Sequence, residues 1–217
     1  EALGVPVDFT AHDYYSINAN PTLTDAEARY CGDAPDRDAL CVRRYPIPGG
    51  AAATVWRANH QRLLQSCDRV FAPSPAAREL TEGAFDDVRI TVADHPDREA
   101  FGPYPEPHAR ALDVREPLRV AVIGAMSKDK GADVLEAAAD AAVRRQTPVK
   151  FTLVGYAYRP LSPVIHATGP YNDAELPALL GEHRPHIVWF PAQWPETYNY
   201  VPSRVLELGI GRASWRE

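Results

Sequence analysis

Three positions in this chain of 217 residues place a side chain that can bind anions or hydroxyl groups at the end of a predicted strand or the start of a predicted helix. Lys130 opens a predicted helix, where its ammonium group and the backbone N–H groups of the first turn would together bind a phosphate. Glu196 follows a predicted strand, and a carboxylate at this position accepts hydrogen bonds from two hydroxyl groups at once. His12 lies beside Asp13 after another strand, which favours a role in chemistry more than an isolated histidine would. The alternatives are a solvated lysine, a glutamate that stabilises the first turn of a helix, and a structural histidine.

The composition excludes several other classes of protein. Hydrophobic residues make up 45% and charged residues 24%, which is ordinary for a globular protein and far from disorder. We expect neither a transmembrane helix nor a signal peptide. The net charge of −6, without a long run of Lys or Arg, argues against a nucleic-acid partner.

The cysteines and histidines do not form a recognisable metal motif. Three cysteines are too few for a disulfide scaffold and fit a reducing cytoplasm. Cys31 and Cys41 have no second matched pair, so the zinc pattern is poor and we interpret them as buried thiols or loop residues. The histidines have no ligand spacing, and no metal is predicted.

The second half of the chain predicts a parallel sheet. Residues 118–124 (LRVAVIG) form a β-branched run that is typical of a strand buried on both faces. Further strands and helices alternate after it, which indicates βαβ units of the Rossmann type. The predicted helices are 130–145, 172–182 and one beginning near 202, and the later strands are 150–155 and 186–190.

The first half is similar in kind but less regular. Its predicted strands are 5–11, 69–72 and 88–92, and its predicted helices are 52–67 and 75–83. The helix 52–67 would place Val55, Leu63 and Leu64 on its apolar side. A proline-rich stretch separates the halves, so we divide the chain into a lobe 1–105, a linker 106–117 and a lobe 118–217. The expected fold is α/β with two Rossmann-like lobes, each incomplete, and a ligand in the crevice between them.

Several motifs resemble those of glycosyltransferase family 4. They are GAMSKDKG after a strand, TGPYNDAEL before a helix, PETYNYVPSRVLELG after HIVWF, and AHDYYSINANPTL with RYCG in the first half. The resemblance extends over most of the chain and is closest to the bacterial enzymes that assemble O-antigen and other surface polysaccharides. It implies the GT-B arrangement, with an acceptor-binding lobe followed by a donor-binding lobe. We interpret the chain as a fragment, because both lobes lack family segments and the ending GRASWRE does not read as a natural continuation.

The resemblance also implies an activity and its residues. A sugar would pass from a nucleotide diphosphate donor, with UDP or GDP as the nucleotide, to a glycan or lipid-linked acceptor, with retention and without a metal or other cofactor. His12 and Glu196 would be catalytic, His12 near the acceptor and Glu196 on the donor sugar. Because such enzymes often act at the cytoplasmic membrane surface, we expect a cytoplasmic enzyme and leave open contact with the inner face of the plasma membrane and the formation of a homo-oligomer. The implied donor-binding residues are Gly124, Lys130, Glu196, Thr197, Tyr198, Asn199, Tyr200 and Glu207.

Two departures from the family pattern keep other functions open. Ala125 stands where the family often has an arginine, and Arg204 stands where its second glutamate would contact the ribose. Either Glu207 takes over that contact or Arg204 pairs with Glu207 and leaves the ribose unheld. The alternatives are a non-catalytic nucleotide- or carbohydrate-binding remnant and a dinucleotide-binding oxidoreductase. The oxidoreductase would need GxGxxG after strand 118–124, where GAMSKDKG keeps only one glycine in place.

Overall fold

The computed structural model describes residues 4–32, 34–93, 113 and 115–210. These residues form two compact units. The first contains the described residues up to 93 together with Gln193–Tyr198, and the second contains those from 113 to 192 and those from Asn199 onward. Most of the predicted linker 106–117 and the ending 211–217 lie outside the described residues, so the domain boundaries stay a prediction.

The first unit is built on a three-stranded parallel sheet. Strand β2 (Arg69–Ala72) lies between β1 (Asp8–Thr10) and β3 (Thr91–Val92), with Phe9 opposite Val70 and Phe71 opposite Thr91. Its helices are α1 (Arg37–Arg44), α2 (Ala53–Gln65) and α3 (Pro75–Glu82), with a short 3₁₀ turn at Pro48–Gly50.

Local sequence explains where α3 begins. The side chain of Ser74 accepts a hydrogen bond from the N–H of Ala77, and Pro75 occupies the first helical position, where its missing N–H costs nothing. The expected strand 88–92 is reduced to Thr91–Val92. The apolar side expected for α2 was partly wrong: Leu64 is buried, but Val55 is 50% and Leu63 46% exposed.

Buried amides hold the loop that follows β1 and carries His12. Asn18 and Asn20 are fully buried. The amide of Asn20 donates to the carbonyl of Thr24 at 2.6 Å, and its oxygen accepts from the hydroxyl of Thr22 at 2.9 Å. Because buried amides stabilise a fold only when they are hydrogen-bonded, these contacts fix one course for the loop.

The second unit is a four-stranded parallel sheet in the order β6-β5-β4-β7. Its strands are β4 (Leu118–Met126), β5 (Val149–Ala157), β6 (His166–Ala167) and β7 (Ile187–Val188). Its helices are α4 (Ala132–Arg144), α5 (Leu176–His183) and α6 (Tyr200–Glu207).

Helices cover both faces of this sheet. Ala121 and Ile123 of β4 belong to the cluster that packs with α5 and α6, while Val122 belongs to the cluster that packs with α4. The alternation explains why β4 is a continuous apolar run, as the sequence predicted. Pro177 does not break α5, because the helix begins at Leu176 and the preceding residues form a separate 3₁₀ turn.

Candidate functional site

Lys130 lies in the turn between β4 and α4. The N–H of Lys130 donates to the hydroxyl oxygen of Ser127 at 3.1 Å, and the N–H of Ala132 donates to the Ser127 carbonyl at 3.1 Å. Lys130 itself is exposed, two residues before the first residue of α4. The turn therefore places Lys130 next to the N-terminal, positive end of a 13-residue helix, a position suited to binding a phosphate.

Gly131 allows the start of α4 to approach the segment after β7. Its φ of +85° lies in the left-handed region, and a Cβ atom here would be 2.0 Å from the carbonyl oxygen of Pro191. Since such a contact is sterically forbidden, the position requires glycine. The sequence analysis did not single out Gly131, although a glycine at the second position of the predicted helix 130–145 was a usable signal; the observed helix begins one residue after it.

Gly124 lies on a second close approach, at the carboxyl ends of β4 and β5. It pairs with Gly155, and a Cβ atom on Gly155 would be 2.1 Å from the carbonyl oxygen of Gly124. Gly124 has a φ of +119°. Backbone packing thus gives a structural reason for Gly155, and the left-handed φ gives one for Gly124, whose donor-binding role stays a prediction.

Arg159 neutralises acidic side chains in the first turns of α4. It donates to Asp133 at 2.8 Å and to Glu136 at 2.6 Å, and the hydroxyl of Tyr158 also donates to Asp133 at 2.9 Å. The hydrogen bond from Arg159 holds the pKa of Glu136 below its usual range, and that bond raises the pKa of Arg159. Ser162, which follows Arg159 by three residues, also donates to Glu136 through its N–H. No sequence motif signalled this network.

Helix α6 carries two of the residues expected to bind the nucleotide sugar, and Asn199 caps it. The side chain of Asn199 accepts from the N–H of Val201 at 3.1 Å, and Tyr200 is 53% exposed. Arg204 donates to Glu207 Oε2 at 2.6 Å. Of the two alternatives left open by the sequence, the structure therefore has the Arg204–Glu207 pair. Glu207 Oε1 is buried and accepts no hydrogen bond from any group in the described part of the chain.

The remaining predicted residues belong to the first unit. The hydroxyl of Thr197 donates to the backbone carbonyl of His12 at 2.5 Å, and Thr197 is only 4% exposed. Nearby, the ring of Trp194 meets buried Tyr14 edge-on at 6.1 Å between centroids, and burial raises the pKa of Tyr14. These contacts explain why Gln193–Tyr198 packs with the first unit, although the sequence division placed it in the second lobe.

The structure thus brings together only some of the predicted residues. His12 and Thr197 are in contact, the side chain of His12 is exposed, and Glu196 is half-buried. Gly124 and Lys130 belong to the second unit, as do Asn199, Tyr200 and Glu207, whereas His12 and the segment Glu196, Thr197 and Tyr198 belong to the first. The functional roles given to all of them stay predictions.

Other features of the described residues bear on alternative sites. An open cavity of about 450 Å³ lies beside β6 and α5, lined by residues such as Thr168, Tyr171 and Glu175, and none of the predicted site residues lines it. Across the ranges that the structure describes, no three His, Cys, Asp or Glu side chains are grouped to hold a metal. Within the same ranges, no helix is long and apolar enough to cross a membrane.

Comparison with known proteins yields a likeness of fold. Neither a protein-family model nor a curated protein sequence matches the chain. The solved structure of a Staphylococcus aureus TarM mutant with fondaparinux, α-GlcNAc-glycerol and UDP is similar, with a TM-score of 0.52 and 15% identity over 78% of this chain and 34% of TarM. A second TarM structure gives a TM-score of 0.50 and 14% identity over 75% of this chain and 32% of that one. This chain spans about a third of their length. The α/β class with parallel sheets flanked by helices is confirmed.

Proposed function

We propose that this chain is part of a glycosyltransferase of the GT-B type and that its second unit binds the nucleotide diphosphate sugar. The observation that carries the proposal is the exposed Lys130 beside the start of α4, at the carboxyl end of the central strand β4. Open parallel sheets bind their ligands at this end of the strands. The TarM structure of similar fold was solved with UDP and α-GlcNAc-glycerol, a nucleotide diphosphate and a glycoside. Membership of family 4 rests on the sequence motifs.

The chemistry assigned to the donor site follows from the charge of the leaving group. As the bond to the sugar breaks, negative charge grows on the nucleotide diphosphate, and a cation next to a helix N-terminus stabilises that charge. Lys130 is placed for this role. Arg159 supports it by neutralising Asp133 and Glu136, two acids in the first turns of the same helix that would otherwise repel the diphosphate.

The sugar and the ribose need hydrogen-bond acceptors. Glu196 would accept from hydroxyl groups of the donor sugar, with His12 near the acceptor, and both roles come from the family likeness. The Arg204 pair uses only Oε2 of Glu207, so the two roles of Glu207 are compatible: Oε1, which the pair does not use, would accept from the ribose. Retention and independence of metal ions also come from the likeness, and so do the glycan or lipid-linked acceptor and the cytoplasmic location.

A second candidate function is nucleotide binding without transfer. The Arg204–Glu207 ion pair favours it, because Arg204 replaces the glutamate that the family uses on the ribose. Both candidates share the nucleotide site, so nucleotide binding is tested first and transfer second.

The test is calorimetric titration of the chain with UDP, GDP and NADH, using Lys130→Ala and Lys150→Ala. Lys150 is an exposed lysine near the opposite end of β5 and serves as the matched control. Losing a charged hydrogen bond to phosphate costs about 1.5–3 kcal/mol, so Lys130→Ala should weaken UDP or GDP binding by about tenfold or more. Lys150→Ala should leave the affinity within about twofold of the wild type. Binding of NADH alone, or equal effects of the two changes, would contradict the proposal.

A further inference from the structure

Two free thiols in the first unit lie close enough to react with each other. The Sγ atoms of Cys31 and Cys41 are 3.9 Å apart, and both cysteines are free. Cys41 lies within α1 and is fully buried. Cys31 follows the antiparallel bridge between Thr24 and Tyr30, and its N–H donates to the carbonyl of Leu23 at 3.0 Å. A disulfide needs the sulfur atoms to approach to about 2.05 Å, a movement of about 2 Å.

The contacts of the two thiols give them different reactivities. The S–H of Cys41 donates to the sulfur of Cys31, so Cys31 is the acceptor of the pair. The S–H of Cys31 donates to the carbonyl of Arg29 at 3.8 Å, a bond that its thiolate gives up, whereas the S–H of Cys41 stabilises that thiolate. Of the two thiols only Cys31 is partly exposed. Burial raises the pKa of Cys41 to about 12 and also raises the pKa of Cys31. Cys31 is therefore the thiol that an oxidant in solution reaches, and Cys41 is the thiol placed to attack it afterwards.

We propose that Cys31 and Cys41 form a reversible disulfide when the protein meets a peroxide. The thiolate of Cys31 attacks one oxygen of hydrogen peroxide, which breaks the O–O bond and gives a sulfenic acid and hydroxide. The thiol of Cys41 then attacks the sulfenic sulfur, the S–S bond forms, and the two hydrogens leave with the oxygen as water. Two electrons pass from the thiols to the peroxide, and a dithiol reductant reverses the reaction.

The bond would add a covalent link between two parts of the first unit that side-chain hydrogen bonds and packing already hold together, such as the bonds from Arg44 to Thr24 and to the carbonyl of Asp25. Cys41 belongs to the core that contains Tyr14, Leu23 and Leu64, and the partly buried Cys31 packs against it. A disulfide between positions 31 and 41 closes a short loop and ties α1 to the bridged segment that ends at Tyr30. Short loops of this kind restrict the unfolded chain enough to raise Tm by about 5 °C or more in a protein of this size. The inference does not depend on the proposed enzymatic function.

The experiment oxidises the folded chain with excess hydrogen peroxide and then counts thiols and measures the intact mass. We expect the loss of two hydrogens, a peptide pair joining Cys31 to Cys41, and one remaining thiol, that of Cys67, with full reversal by dithiothreitol. In Cys41→Ser the reaction should stop at the sulfenic acid of Cys31, which dimedone traps. In Cys31→Ser the mass should stay unchanged. Cys67→Ser is the matched control and should still lose two hydrogens.

Thermal melts complete the test. The oxidised wild type should melt about 5 °C or more above the reduced protein, whereas oxidant should not raise the Tm of Cys31→Ser or Cys41→Ser. Three titratable thiols in the oxidised, folded wild type would overturn the proposal. So would a crosslink that uses Cys67 or joins two chains.

Discussion

Replacing Gly131 by alanine tests the close approach between the start of α4 and Pro191. Alanine at this position is unfavourable for two reasons: the backbone is left-handed, with φ +85°, and the new Cβ atom would lie 2.0 Å from the Pro191 carbonyl oxygen. An L-residue in the left-handed region costs about 1–2 kcal/mol. Forcing the backbone apart adds about 1–3 kcal/mol, the usual cost of overpacking. We therefore expect Gly131→Ala to lose about 2–5 kcal/mol of unfolding free energy.

Gly169→Ala separates the two contributions. Gly169 has the same φ of +85°, but a Cβ atom there meets nothing within 4 Å. The Gly169→Ala variant should therefore lose only the part of the unfolding free energy that comes from the left-handed backbone, about 1–2 kcal/mol. At about 2–4 °C of Tm per kcal/mol, thermal melts followed by circular dichroism resolve the difference.

The same pair of variants links the packing to the nucleotide site. Because Gly131 adjoins Lys130, Gly131→Ala should also weaken UDP binding, and Gly169→Ala should leave it unchanged. Equal losses of Tm in the two variants would refute the close approach to Pro191. A Gly131→Ala protein that melts like the wild type would refute both parts of the reasoning.

Two further predictions concern ion pairs. Arg159→Met should weaken UDP binding more than uridine binding, because Asp133 and Glu136 then repel the phosphates. Calorimetry should find that adding Asp133→Asn and Glu136→Gln restores the affinity for UDP. If the affinity is not restored, Arg159 acts only by holding its loop. Arg57 forms two hydrogen bonds with Asp38, and these bonds lower the pKa of the Asp38 carboxyl. The pair therefore adds its full contribution to the free energy of unfolding above the ordinary carboxyl pKa, and this contribution is lost as the pH falls through the lowered pKa of Asp38. Asp38→Asn should lower the free energy of unfolding by about 1 kcal/mol at neutral pH, and denaturant titrations should find that this difference from the wild type shrinks below about pH 4. A difference that stays constant down to pH 2 would contradict the role of the ion pair.

The architecture of the second unit could be predicted because its signals are local and agree with one another. The apolar run of β4 predicts a strand buried on both faces, and the structure has Ala121 and Val122 on opposite faces, each packed against helices. Start and stop signals also placed most elements within a few residues of their observed bounds. Helix α1 was missed, because the apolar residues of Arg37–Arg44 form one short consecutive run, 39–42, with no helical spacing, and only Cys41 of them is buried.

The packing of the site was less predictable. The contacts of Thr197 with His12 and of Trp194 with Tyr14 join residues about 180 positions apart, and no local pattern encodes such pairs. Val55 and Leu63 fit a helical apolar stripe, yet the structure buries only Leu64 of the three, since periodicity does not reveal how wide a stripe the neighbouring elements cover.

Competitive acetylation of the lysines, with and without UDP, locates the nucleotide on the folded chain. Lys130 and Lys150 are both exposed, so each reports its own accessibility in the same sample by peptide mass spectrometry. If UDP binds at the start of α4, saturating UDP slows the acetylation of Lys130 by about tenfold, in line with the charged contact, and leaves Lys150 unchanged. Acetylation of Lys130 at the same rate in both samples, under conditions where calorimetry detects UDP binding, would contradict the proposed donor site.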